Sequence, residues 1–211
     1  LSPLFFSLAL QTPLVSADKA LDAHGMLFAY LDDVVILGPP LHAFRALAAF
    51  RESAAGIGLR VNPSKSKLLT FDKSQGGLQL LGGLCAGADL PPPVHCLQLL
   101  GSPMGLPQLE ALAALELVNN APFTSIMQLP DKQSRMLLLR SAISTMNNHL
   151  ARCVPPSVAH KALLAHDKHV LQVVLSMLEL TPEEVPRVTR AEIALPLNKG
   201  GLGLQSLVAT A

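Results

Sequence analysis

Met26-Leu27-Phe28-Ala29-Tyr30-Leu31-Asp32-Asp33-Val34-Val35-Ile36-Leu37 sets two adjacent carboxylates inside an otherwise apolar stretch. Phe28–Tyr30 and Val34–Leu37 are short runs rich in β-branched and aromatic residues, which favour strands over helix. With Leu31-Asp32-Asp33 between them the two strands predict a β-hairpin, because Asp tolerates the backbone conformations of a tight connection. At an effective dielectric near 20, two like charges about 4 Å apart repel by roughly 4 kcal/mol. Such a pair takes up a proton, sheds its strain into solvent, or holds a cation. Mg²⁺ is a hard cation that takes carboxylate oxygens together with substrate phosphates, so it turns the repulsion into a binding site. Two-metal phosphoryl transfer uses such an arrangement. Turn chemistry on a solvated tip is the alternative, and for an isolated Asp-Asp dipeptide it is the commoner case.

Working outward, residues up to about Ala20 read as helix, broken where Thr12-Pro13 interrupts it. Gly38-Pro39-Pro40 punctuates the chain, and Leu41–Ala55 is predicted as a helix. Leu41, Phe44, Leu47 and Phe50/Ala54 fall at helical spacing, with Arg45, Arg51 and Glu52 on the outer side. Gly56 and Gly58 mark its end. A strand at Leu59–Val61, a turn at Asn62-Pro63-Ser64 and a strand at Lys67–Phe71 are expected next. Leu-Gln-Leu-Leu-Gly then occurs twice, at Leu78–Gly82 and Leu97–Gly101. The second copy runs into Gly101-Ser102-Pro103-Met104-Gly105, which supplies the tight-turn residues of a hairpin; the first reads as a connecting strand or loop together with Pro91-Pro92-Pro93. From Pro107 onward the pattern is helical: Leu109–Val118, Asp131–Arg152, a stop at Pro155-Pro156, and Val158–Leu180. Thr181-Pro182-Glu183-Glu184 reads as a further helix start of the capping-box kind.

The 211 residues allow one or two domains, and the chain is half hydrophobic but only 15% charged. So low a charge implies apolar surface that packs against other parts. The formal net charge of +1 is uneven: residues 1–118 hold 7 basic and 9 acidic side chains, residues 119–211 hold 9 and 6. A mildly basic second half suits a phosphate backbone, although a solvated helical surface produces the same asymmetry. Cys85, Cys96 and Cys153 have no metal-ligand spacing and are odd in number, so they read as reduced, buried fillers of an intracellular protein, nucleus or cytoplasm left open. His166 and His169 are three residues apart, too few ligands for zinc. No apolar run reaches membrane-spanning length, so no membrane partner is expected.

The hairpin string resembles the catalytic hairpin of reverse transcriptases, whose pattern is aromatic–any–Asp–Asp within hydrophobic strands. Three further segments resemble the same family, in its order. Leu1-Ser2-Pro3-Leu4-Phe5-Phe6-Ser7-Leu8-Ala9-Leu10 is similar to the end of the Gly-x-Pro-Leu-Ser-Pro segment and its helix. Gly58-Leu59-Arg60-Val61-Asn62-Pro63-Ser64-Lys65-Ser66-Lys67 is similar to the next, lysine-bearing segment. Leu99-Leu100-Gly101-Ser102-Pro103-Met104-Gly105 resembles the primer-grip hairpin, though either Leu-Gln-Leu-Leu-Gly copy could fill that place. The likeness covers about half the chain and is closest to the retrotransposon type. Leu195–Leu207, with its glycines, is similar to a stretch downstream of such polymerases; it lacks the Gly-Lys-Ser/Thr ending of a phosphate loop and reads as packing, positioning a short terminal helix.

The resemblance implies an α+β fold: a partial polymerase palm over residues 1–106, with a small antiparallel sheet and backing helices, then a helical thumb and extension over 107–211. It implies RNA-directed DNA polymerase activity on an RNA template and DNA primer with deoxynucleoside triphosphates. Asp32 and Asp33 would hold Mg²⁺ or Mn²⁺, and Lys65, or equally Lys67, would be the general acid toward pyrophosphate. Tyr30 and Leu31 would flank the primer terminus, Ser2 and Pro3 the template and nucleotide, and Gly101 and Gly105 the primer grip. Lys132, Arg135, Arg140 and Arg152 are candidates for phosphate contact, or ordinary solvated residues. The family's fingers and its first metal-binding aspartate have no counterpart here, and Asp18 and Asp22 do not match the latter's position. A fragment needing the N-terminal part of its polyprotein, inactive alone, is therefore expected. The alternative is a non-catalytic nucleic-acid-binding or scaffold remnant of a retroelement.

Overall fold

Alanines set how the first two long helices meet. The computed structural model describes the backbone of residues 2–181 and 192–211, and side chains from residue 4 within that range. Helix α1 (Ser2–Leu21) and helix α2 (Pro40–Gly56) pack through Ala17 and Ala46, both fully buried, and small residues at a contact let helix axes approach closely. Leu10, Leu21, Phe50 and Ala54 complete this core. Strands β1 (Met26–Tyr30) and β2 (Asp33–Leu37) form the expected antiparallel hairpin, laying Leu27, Val34 and Ile36 against the same cluster.

Three expectations here need correction. Pro13 does not break α1, which runs through it; the ring is fully buried, and that packing offsets the lost hydrogen bond. Leu41 is exposed rather than inward, since Ala46 occupies the contact line of α2. Arg51 is half-buried rather than outward, and its guanidinium donates to the Ala88 carbonyl at 2.5 Å.

Residues 59–61 and 67–71 do not form strands. Leu59 and Val61 pack on the helical core, but the described backbone offers them no partner ladder. Only an isolated parallel bridge joins Leu69 to Val94. The first Leu-Gln-Leu-Leu-Gly copy lies in helix α3 (Gln75–Gly87), neither strand nor loop. Ser74 caps that helix by accepting from the Gly77 amide at 3.1 Å, and Leu81 and Cys85 share its buried face.

The chain divides into two compact units, residues 1–94 and 95–211. The boundary drawn from sequence, 106/107, lies after the second hairpin, which the structure gives to the second unit. That hairpin pairs β3 (Cys96–Leu99) with β4 (Ser102–Gly105). Its turn is Leu100-Gly101, with φ of 48° and 86°, the doubly positive pattern of tight hairpins, so Ser102–Gly105, expected to carry the turn, is strand instead.

Helix α4 (Pro107–Asn119) follows as expected, then short α5 (Phe123–Met127). The expected single helix from Asp131 to Arg152 is instead four pieces: α6 (Lys132–Leu138), a π-helical turn (Leu139–Ile143), α7 (Ser144–Met146) and α8 (Asn148–Cys153). The cause is local. Ser141, Ser144 and Thr145 hydroxyls donate back to the carbonyls of Leu137, Arg140 and Ala142, competing with the helix ladder.

Helix α9 (Pro156–Leu178) begins at the proline pair, with Pro156 in the first turn where its missing N–H is harmless. Two apolar clusters line α9, one with Phe123, Leu139 and Ile143, the other with Val118, Leu150 and Leu163. The helix start anticipated at Thr181–Glu184 lies, beyond Thr181, outside the described residues. Leu204 joins the first cluster and Leu207 the second, so the Gly-rich tail packs as anticipated, although residues 207–211 form a turn rather than a helix. Gly201 is required there, because a Cβ would meet the Leu195 carbonyl oxygen at 2.1 Å. Among the described residues the fold is α+β, mainly helical, with two antiparallel two-stranded sheets, and no helix is long and apolar enough to cross a membrane.

Candidate functional site: the acidic hairpin

Strand register decides what Asp33 faces. Tyr30 pairs with Asp33, Phe28 with Val35 and Met26 with Leu37, on the sheet face opposite the Leu27–Ile36 pair that packs on the helices. Asp33 therefore ends a row of apolar side chains, most of them exposed, with Tyr30 beside it at 63% exposure. The connection is two residues, Leu31-Asp32, one shorter than anticipated, since Asp33 already belongs to β2. Leu31 carries φ of 53°, costly for a side chain branched beyond Cβ, and holds the tip in a fixed, sparsely populated conformation.

Asp32 and Asp33 are both exposed, and neither carboxylate has a hydrogen-bond or ion-pair partner among the described residues. Two unpaired carboxylates on consecutive residues supply the oxygens a hard cation takes. Mg²⁺ is commonly held by one or two carboxylates, completing its octahedron with water and phosphate oxygens, so the pair fits one such ion. Among the described residues no three or more His, Cys, Asp or Glu side chains are grouped so that they could hold a metal ion together.

Lys65 stands on the Asn62–Lys65 turn. The Asn62 side chain accepts from the Ser64 amide at 3.1 Å and from its hydroxyl at 2.7 Å, while Val61 anchors the approach to the core of the same unit. Lys65 and Lys67 are both exposed, so the geometry does not choose between them.

The other candidates divide sharply. Ser2 and Pro3 lie in α1, their side chains outside the description. Gly101 supplies the positive φ of the β3–β4 turn, and Gly105 is demanded by packing, since a Cβ would sit 2.3 Å from the His95 carbonyl oxygen. Lys132 is paired with Glu179 at 2.7 Å on an exposed surface. Arg135 is half-buried and donates through Nε to the Leu129 carbonyl, a contact that ties the α5–α6 connection. Arg152 is exposed on α8. Arg140 is half-buried at the π-helical turn and lines an open groove.

Sequence reading missed the polar anchor of the tail. Asp167 on α9 accepts from the Ser206 hydroxyl at 2.6 Å and from the Leu207 and Val208 amides at 2.9 and 3.3 Å. Burial pushes its carboxyl up, but His166, Ser206 and the two amides outweigh that and hold it below the usual range. His166 is fully buried, with Nε2 3.4 Å from the Ile143 carbonyl oxygen; its ring meets Phe123 edge-to-face, and His169 meets the same ring at a tilt. Burial, and then the neighbouring His166, push His169 down. The cysteines are free as expected, yet only Cys85 is buried; Cys96 is half-buried and Cys153 exposed, because Cys153 falls on the outer side of the last turn of α8.

Comparison with protein-family models, with curated proteins and with solved structures finds no match.

Proposed function

We propose that this chain carries the acidic hairpin of an RNA-directed DNA polymerase of retrotransposon type, a nucleotidyltransferase that extends a primer 3′ end on an RNA template. The observation that carries the reading is the pair Asp32 and Asp33: unpartnered, consecutive, and held at a two-residue turn between strands whose other face is fixed to a helical core. In this reading Asp32 and Asp33 hold Mg²⁺ or Mn²⁺, whose chemistry is to acidify the primer hydroxyl and neutralise the departing pyrophosphate. Leu31 fixes the tip, Tyr30 presents a flat ring beside Asp33 for the terminal nucleotide, and Lys65 or Lys67 supplies a proton to the leaving group. A third carboxylate does not stand with the pair among the described residues, so it comes from elsewhere in the polymerase.

The shortage of ligands is also what favours the second reading, a nucleic-acid-binding or scaffold element without catalysis. Primer extension by a full-length polymerase carrying this chain separates the two. Asp32→Asn and Asp33→Asn should each abolish extension while leaving template binding intact. Extension that survives both substitutions refutes the metal assignment and leaves the binding reading.

A further inference from the structure

From the meeting of His24 and His42 at the base of the acidic hairpin we infer a binding site for a late divalent transition ion, Ni²⁺ or Cu²⁺, held by the two imidazoles and completed by water. Both residues belong to the first unit, and the inference does not rest on the assignment of the hairpin tip, because the two sets of ligands select different metals. Paired carboxylates suit Mg²⁺ and Mn²⁺, whereas imidazole suits the ions at the tight end of the affinity series, Ni²⁺ and Cu²⁺.

Ring spacing is the first observation. The centres of the two rings are 4.3 Å apart and their planes cross at 62°. With metal–nitrogen bonds of about 2.0–2.1 Å and the ring centre about 1.2 Å further on, two imidazoles bound at a right angle have centres about 4.5 Å apart. At the tetrahedral angle the separation is about 5.2 Å, so the pair matches right-angled coordination better than the tetrahedron of zinc. Turning either ring about its Cβ–Cγ bond redirects its nitrogens while barely moving its centre, so the spacing is the quantity that counts.

His42 supplies the second. It lies in the first turn of α2, half-buried, and its Nδ1 is shielded from solvent without a hydrogen-bond partner among the described residues. A buried polar atom left unpaired is uncommon in proteins, and an ion or a water usually belongs beside it. His24 is exposed, so an ion arrives from solvent on its side.

Third, the two backbones are positioned before any ion binds. The chain passes close to itself at the base of the hairpin: a Cβ on Gly25 would lie 2.1 Å from the Leu37 carbonyl oxygen, and one on Gly38 3.1 Å from that of His24. The His24 amide donates to the Leu21 carbonyl at 2.9 Å, and Pro39 and Pro40 fix the entry into α2. Ligands on such fixed backbone lose little freedom on binding. Charges nearby in sequence balance, with Asp18 and Asp22 against Lys19 and Arg45, all exposed. Among the described residues no third His, Cys, Asp or Glu joins the pair, so water fills the remaining positions. A bound ion would tie the end of α1 to the start of α2 and clasp residues 25–41, the acidic hairpin included, between them.

The test is calorimetric titration of Ni²⁺ into the whole chain in a non-chelating buffer, with thermal melts alongside. Ni²⁺ also avoids the oxidation of the exposed Cys153 thiol that Cu²⁺ would bring. His24→Gln and His42→Gln should each weaken the tightest site at least about tenfold. Saturating Ni²⁺ should raise the melting temperature of the unaltered chain and leave that of His24→Gln where it was. Because His24 is exposed, its substitution spares the core, so a folding defect in His42→Gln does not blunt the test. Asp32→Asn/Asp33→Asn, and His160→Gln at an exposed histidine of the second unit, should keep the Ni²⁺ affinity. The inference is overturned if the unaltered chain binds no Ni²⁺ or if His24→Gln keeps its affinity. It is equally overturned if His160→Gln loses as much, or if the double aspartate substitution does, which would place the ion at the tip.

Discussion

Replacing Asp167 with alanine should release the C-terminal tail from α9. One carboxylate there holds the Ser206 hydroxyl at 2.6 Å and the Leu207 and Val208 amides at 2.9 and 3.3 Å, while Leu207 is completely buried beneath it. A hydrogen bond to a charged group contributes about 1.5–3 kcal/mol, but these three share one acceptor group and are not additive. Once the tail lifts, its amides are satisfied by water, so the loss saturates near about 3 kcal/mol. For a unit of roughly 100 residues that lowers the melting temperature by about 10 °C or slightly more. Asp167→Asn keeps one acceptor oxygen and should lose about half as much. The pH dependence has a definite sign. The folded carboxyl lies below its ordinary value, so its contribution is fully present above the unfolded pKa of about 3.9 and is lost as pH falls through the folded value. The assay is amide hydrogen exchange at Leu204, Leu207 and Val208, with thermal melts between about pH 2 and 7. Unchanged protection of Leu207 and Val208 in Asp167→Ala, or an acid limb identical to the unaltered chain, would refute the anchoring role.

Leu31→Gly should stabilise the first unit by about 1 kcal/mol in thermal melts, because the strain of a positive φ exceeds the backbone entropy glycine adds; a lower melting temperature would contradict the strained turn. Gly201→Ala should destabilise by about 2–3 kcal/mol in urea titrations, since its Cβ would strike the carbonyl oxygens of Leu195 and Glu192 at 2.1 and 2.5 Å; a neutral effect would mean that the tail backbone can shift.

Local chemistry was the readable part of this chain. Short β-branched and aromatic runs around an acidic turn specified the Asp32 hairpin, and the second hairpin was legible too, although its turn falls at Leu100-Gly101 rather than across Gly101–Gly105. The long helices α2, α4 and α9 were legible from periodicity within a few residues of their ends. Where the outcome depended on tertiary context, reading failed. Leu59–Val61 has strand-forming residues but no partner ladder among the described residues, and Pro13 sits mid-helix because its ring is buried. The breaks after Leu138 come from hydroxyls bonding backward, which composition does not reveal. At the sites the same division holds. Asp32 and Asp33 announced themselves by adjacency, whereas Lys132, Arg135 and Arg140 differ in their partners among the described residues: an acid, a carbonyl, and none. Asp167, flanked by His166 and Lys168, gave no signal that it would reach a segment 39 residues away.

The central claim is that the hairpin tip binds a divalent cation. Titrating Mn²⁺ into the isotope-labelled chain and following paramagnetic broadening of its amide signals tests it most directly. The account predicts that broadening begins at residues 30–34 and that this selectivity vanishes in Asp32→Asn/Asp33→Asn. Broadening that starts elsewhere, or that the double substitution leaves untouched at the tip, would contradict it.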